Sequence, residues 1–247
     1  MIHLFEPHGD DALLSCYSLL KRHSDKTVVV TVGHSRESKR LADHFPGIQS
    51  EYGDVYEIKM PDYRAAYKTN YWRWKKLGDV RDNRSPWEWQ RDVTRDGAGE
   101  LWKESRELTR EYVLGYLQTL WGGITSHGNH LVLAPLGLVH PYHICLADVM
   151  IEMREQFSCP LLEFGFYSEA PYNSAKWVKE LENTHPVVSR HLLVSMMQGN
   201  DGSESSKKEA ILKDVYPTEL GLLRFTRDAV LSNAEYLYIP VSWSIRI

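Results

Sequence analysis

Residues 1–32 read MIHLFEPHGDDALLSCYSLLKRHSDKTVVVTV, and the order of the runs within this stretch decides the fold. A short apolar run, Ile2 to Phe5, closes on Glu6 and Pro7 and reads as a buried strand. Residues 12–20 have helical composition. Residues 27–32 are β-branched and continuous, as strands buried on both faces of a parallel sheet tend to be. Downstream, the charged stretch 35–45 carries Leu41 and Ala42 and reads as a second helix, and 55–60 as a third strand. This β-α-β-α-β opening predicts an α/β fold, a Rossmann-like, mostly parallel sheet flanked by helices.

Further along, the alternation breaks and then resumes. Residues 62–99 hold Trp72, Trp74, Trp87 and Trp89 among many Lys and Arg residues. The stretch reads as an insertion after the third strand, too short for a core of its own. Helices are expected over 100–120 and 144–157, where apolar side chains recur at helical spacing. Strands are expected over 131–136, 161–167, 191–197 and 236–241. The polar run 198–206 reads as a flexible loop leading into a helix over 205–215.

The chain has 247 residues, of which 43% are hydrophobic, enough for one sizeable core. Residues 1–247 are therefore expected to form a single domain. A formal net charge of -4 argues against a general nucleic-acid binder, because phosphate neutralisation needs a surplus of Lys and Arg. Three cysteines give no disulfide framework. Cys16, on the first helix, reads as a small buried hydrophobe. No apolar run of transmembrane length and no secretory leader is apparent, so a cytoplasmic chain is expected. Association of like chains is left open.

Two clusters carry chemistry. Pro7-His8-Gly9-Asp10-Asp11-Ala12 follows the first strand, and His140-Pro141-Tyr142-His143 follows the strand over 131–136. Open α/β sheets bind ligands at the carboxyl ends of their strands. The first cluster offers an imidazole and two adjacent carboxylates in a tight turn; the second supplies a further nitrogen. Three protein ligands and an open position make a catalytic zinc site, although imidazole with carboxylate also suits iron or cobalt. The plainer alternative is that Asp10 or Asp11 caps a helix N-terminus. No Gly-X-Gly-X-X-Gly follows the first strand, which argues against a dinucleotide site.

The stretch Pro7-His8-Gly9-Asp10-Asp11-Ala12-Leu13-Leu14-Ser15-Cys16, with the later His140-X-X-His143, resembles the PIG-L (LmbE-like) family of zinc-dependent N-deacetylases, in its PHxDDAxLS branch. Weaker echoes are Phe166 to Tyr172 (FYSEAPY) and Lys208 to Pro217 (KEAILKDVYP). That branch includes deacetylases acting on N-acetylglucosaminyl groups of glycopeptide antibiotics. The resemblance implies that His8, Asp11 and His143 hold Zn2+, or Fe2+ or another divalent metal. It implies that Asp10 is the general base and that a protonated His140 stabilises the oxyanion. It implies a small N-acetylated substrate, sugar-like, or a larger amide conjugate. The sequence departs from the family at Gly9, where Pro is usual, at Tyr142, where an acid is usual, and at Glu6, where a small residue is commoner.

Arg64, just after the expected third strand, is a candidate substrate contact, against the plainer reading of a solvated surface Arg. The four tryptophans either stack on sugar rings or pack the insertion onto the core. His34, His127 and His130 have no partner legible in the sequence. The alternative from another class is a non-catalytic binding protein that keeps the fold.

Overall fold

The computed structural model describes residues 1–33, 40–53, 55, 100–124, 128–138, 140–170, 183–188, 193–197, 202–217 and 235–243. Residues 62–99, with Arg64 and the four tryptophans, lie outside them, as do His34 and His127. Seven strands form one sheet: β1 (Ile2–Glu6), β2 (Thr27–Thr31), β3 (Gln49–Tyr52), β4 (His130–Pro135), β5 (Leu162–Tyr167), β6 (Leu193–Met197) and β7 (Glu235–Ile239). Their order is β3-β2-β1-β4-β5-β7-β6. Pairing is parallel from β3 to β5, while β7 runs antiparallel to both β5 and β6. The chain winds outward from β1 to β3, then returns to place β4 on the other side of β1. This reversal is the Rossmann-like switch point, and sheets of this kind bind ligands there, at the carboxyl ends of the strands, here β1 and β4.

Among the described residues the helices are α1 (Asp11–His23), α2 (Leu41–His44), α3 (Glu100–Gly123), α4 (Pro141–Phe157) and α5 (Gly202–Val215). Strand alternation divides the core between the two faces of the sheet. Leu4, Val29, Leu131, Leu133 and Leu237 pack with Leu13, Leu20 and Leu212 of α1 and α5. Phe5, Val28, Val30, Val132 and Phe166 pack with Val113, Leu117, Leu146 and Met150 of α3 and α4. Both faces of the central strands are thus covered, which is why they read as continuous apolar runs.

A strand that the sequence does not suggest, Gln49–Tyr52, pairs with β2 in the register Val28↔Gln49 to Thr31↔Tyr52. Of the strand expected over 55–60 only residue 55 is described, and it is not in a strand. At the sheet edge, main-chain bonds to β2 suffice, and alternate residues stay exposed without an apolar run. Residues 56–60 lie outside the described residues. Helix α5 begins at Gly202, so 202–206 of the expected loop are helical, and the polar side chains of residues 203–206 are exposed or half-buried. The expected helix over 35–45 is described only from residue 40. β7 approaches β5 closely at Gly165, where an added Cβ would stand 2.6 Å from the Tyr238 carbonyl oxygen. Among the described residues, no helix is long and apolar enough to cross a membrane.

Candidate metal centre

β1 ends at Glu6, and the chain turns through Pro7, His8 and Gly9 into α1. The first turn of a helix leaves backbone amides without intrahelical partners. Here the fully buried Glu6 takes one of them: Ala12 N donates to Oε2 at 2.7 Å, and Thr31 Oγ1 donates to Oε1 at 2.7 Å. Burial, with Asp11 and Asp10 nearby, pushes the Glu6 carboxyl well above its ordinary value. Asp10 occupies the cap position but makes no side-chain cap bond. The capping role therefore falls to Glu6. At Gly9 the turn is clamped from outside: the buried Tyr216 hydroxyl, just after α5, donates to the Gly9 carbonyl.

On the other side, His140 is extended (φ -77, ψ 131) and Pro141 opens α4, a position that suits its fixed φ. His143 lies in the first turn of α4 and points back across the switch point. The side chains of His8, Asp11 and His143 meet there. His8 Nδ1 lies 3.2 Å from Asp11 Oδ2, His143 Nε2 lies 3.3 Å from Asp11 Oδ1, and the two ring nitrogens lie 3.3 Å apart. Asp10 also groups with His8 and Asp11, and His140 with His8 and His143, within 4.8 Å. The five residues singled out in the sequence thus share one locus.

Donor atoms at this spacing fit a metal. Bonds of about 2.0–2.1 Å in a tetrahedral site set neighbouring ligand atoms about 3.3 Å apart. The donor set, two imidazoles and a carboxylate, suits zinc and other first-row divalent ions. Charge fits too. Burial alone would raise Asp11, but His143 and His8 hold its carboxyl well below the ordinary range. Burial alone would lower His143, but Asp11 and then Glu169 push it up to about 10. In this geometry a positive charge belongs between the ring and the carboxylate.

Glu169 had no role in the sequence reading, although it stands in the segment FYSEAPY. It is fully buried, and its Oε1 lies 3.3 Å from His143 Nδ1. The amides of Leu136, Gly137 and Leu138 donate to the same carboxylate at 3.1, 2.8 and 2.7 Å. Gly137 has φ 87, a left-handed conformation that favours glycine and lets three successive amides converge. Glu169 thereby fixes His143 with Nε2 facing Asp11, as a carboxylate behind a ligating imidazole does. Its legible signal is position, as an acid just past the carboxyl end of β5, beside β4. Tyr142 is buried and packs edge-on to His8 with ring centroids 5.4 Å apart.

Burial, with His8 and His143 beside it, lowers the His140 pKa well below the ordinary value, which favours a neutral ring where the resemblance implies a protonated one. Its Nδ1 accepts from Tyr142 N at 3.3 Å, which leaves the proton on Nε2. His130 has a partner after all: its Nδ1 lies 2.9 Å from Nε2 of His3, whose Nδ1 meets Tyr116 at 2.8 Å. Cys16 is fully buried, as expected.

No family model matches the chain, and no curated protein matches it. Among solved structures, the crystal structure of the A40926 pseudoaglycone deacetylase Dbv21 is similar over 97% of this chain and 96% of that one. The identity is 12% and the TM-score 0.44, a level that says nothing about activity.

Proposed function

We propose that the chain, as one unit over residues 1–247, is a zinc-dependent hydrolase that removes an N-acetyl group from an amino sugar or similar small molecule. The observation that supports this most is the meeting of His8, Asp11 and His143 at 3.2–3.3 Å, at the carboxyl ends of β1 and β4. The family resemblance of the same residues points the same way.

His8, Asp11 and His143 would hold the ion. When bound, a divalent ion supplies Lewis acidity that activates water and polarises an amide carbonyl. Asp10, half-buried beside His8 and relieved of capping by Glu6, accepts the proton of the attacking water and passes it to the leaving nitrogen. His140 donates from Nε2 to the oxygen that gains negative charge, as a neutral hydrogen-bond donor. Acetate release from a panel of N-acetylated sugars, with and without a chelator, tests the reading. The expected result is chelator-sensitive release from at least one sugar. Release that survives complete metal removal contradicts it.

A further inference from the structure

Helix α1 is broken at Cys16, where φ is -130 and ψ is 27. In an unbroken helix the Ser18 amide would donate to the Leu14 carbonyl. Here Ser18 N donates to Glu235 Oε2 at 2.8 Å, and the Leu14 carbonyl accepts from Lys208 Nζ at 2.6 Å. Lys208 Nζ and Glu235 Oε1 lie 3.4 Å apart, and both side chains are almost fully buried. An ion pair contributed by α5 and β7 thus stands where one helical hydrogen bond would close.

The break separates residues 11–15 from the rest of α1, and that short segment is tied to the candidate metal centre. Leu14 N donates to the Asp10 carbonyl at 2.9 Å. Ala12 N donates to Glu6, and Ser15 Oγ accepts from Ala170 N at 3.1 Å, next to Glu169. Leu14 is therefore held on one side by Lys208 and on the other holds Asp10. The same helix α5 leads into Tyr216, which clamps Gly9.

We propose that Lys208 and Glu235 are positioning residues. Inserted between Leu14 and Ser18, they keep α1 broken at Cys16 and so set where Asp10 and Asp11 stand. This rests on the metal-centre reading for its functional consequence, though not for the break itself. A pair serving stability alone would be replaceable by apolar side chains with no effect elsewhere, since buried ion pairs often exchange for hydrophobes at little cost.

The test is Lys208→Met with Glu235→Leu in the full chain, read by backbone Cα chemical shifts and by zinc affinity from chelator competition. The proposal expects Cys16 to move toward helical shifts, Asp10 and Asp11 to shift with it, and zinc affinity to fall by about 10- to 100-fold, as for outer-shell partners of a metal site. Glu235→Gln alone keeps an acceptor for the Ser18 amide and should hold the wild-type shifts. Should the first double variant not fold, Lys208→Leu with Glu235→Met, which also removes the acceptor, takes its place with the same readings. A folded double variant with Asp10 and Asp11 shifts and zinc affinity unchanged overturns the proposal. A wild-type chain that takes up no zinc would instead sink the metal reading, and the shifts in the metal-free protein would still decide the role of the pair.

Discussion

Adjacent in sequence and chemically identical, Asp10 and Asp11 are separated by their surroundings. Asp11 is buried between two imidazoles; Asp10 is half-buried and makes no side-chain cap bond. Asp11→Asn should therefore lose zinc, because a neutral amide is a poor ligand. Asp10→Asn should keep zinc and lose kcat by about 10²- to 10⁴-fold, the worth of a general base. Zinc content and turnover of the two variants check this; the reverse pattern would mean exchanged roles. Proton competition gives a second prediction. In the metal-free chain burial pushes His143 down, while Asp11 and Glu169 push it up further, to about 10. An ion bound at Nε2 must displace that proton, so zinc affinity should rise by about tenfold per pH unit between pH 6 and 8. Chelator competition across that range would show a flat profile if the ring were neutral. The sequence made the five clustered residues legible because they sit in two short motifs. Glu169 and Glu6 stayed silent there, since an isolated acid acquires meaning only from the amides that fold around it. What favours a neutral His140, burial and two neighbouring rings, is likewise a fact of packing.

The elements show a similar division. β1, β2 and β4 were legible because both faces of each are buried, leaving unbroken apolar runs. β3 was not, since an edge strand is selected by backbone pairing. The antiparallel place of β7 between β5 and β6 was equally invisible, because strand neighbours are fixed by contacts far apart in the chain. The buried His3 of β1, bonded to His130 of β4 and Tyr116 of α3, makes a prediction at this scale. Burial first, then His130 and the N-terminus, lower His3 to about 3, from an ordinary 6.5. A folded-state value below the unfolded one contributes stability above pH 6.5 and loses it as pH falls toward 3. The slope is at most about 1.4 kcal/mol per pH unit for one group. Urea midpoints measured from pH 7 to pH 4 should fall less steeply for His3→Gln than for the wild type. Parallel slopes would mean that His3 does not remain neutral in the fold.

At the scale of the whole molecule, three segments distant in sequence meet at the carboxyl ends of the central strands. His8 follows β1, His143 begins the helix after β4, and Glu169 follows β5; these are neighbouring strands in the sheet. An ion at their junction would tie them together, and a ligand that binds only the folded chain stabilises the whole of it. Free zinc at 100 times its dissociation constant adds about 2.7 kcal/mol. Tm should rise with zinc and fall on chelation, and a Tm indifferent to both would argue against a metal at the junction. The most direct measurement is elemental analysis of the purified chain after zinc reconstitution and removal of excess metal, beside His143→Ala prepared identically. One zinc per chain in the wild type and a marked loss in the variant is the predicted result. Equal zinc in both, or none in the wild type, would contradict a metal held by His8, Asp11 and His143.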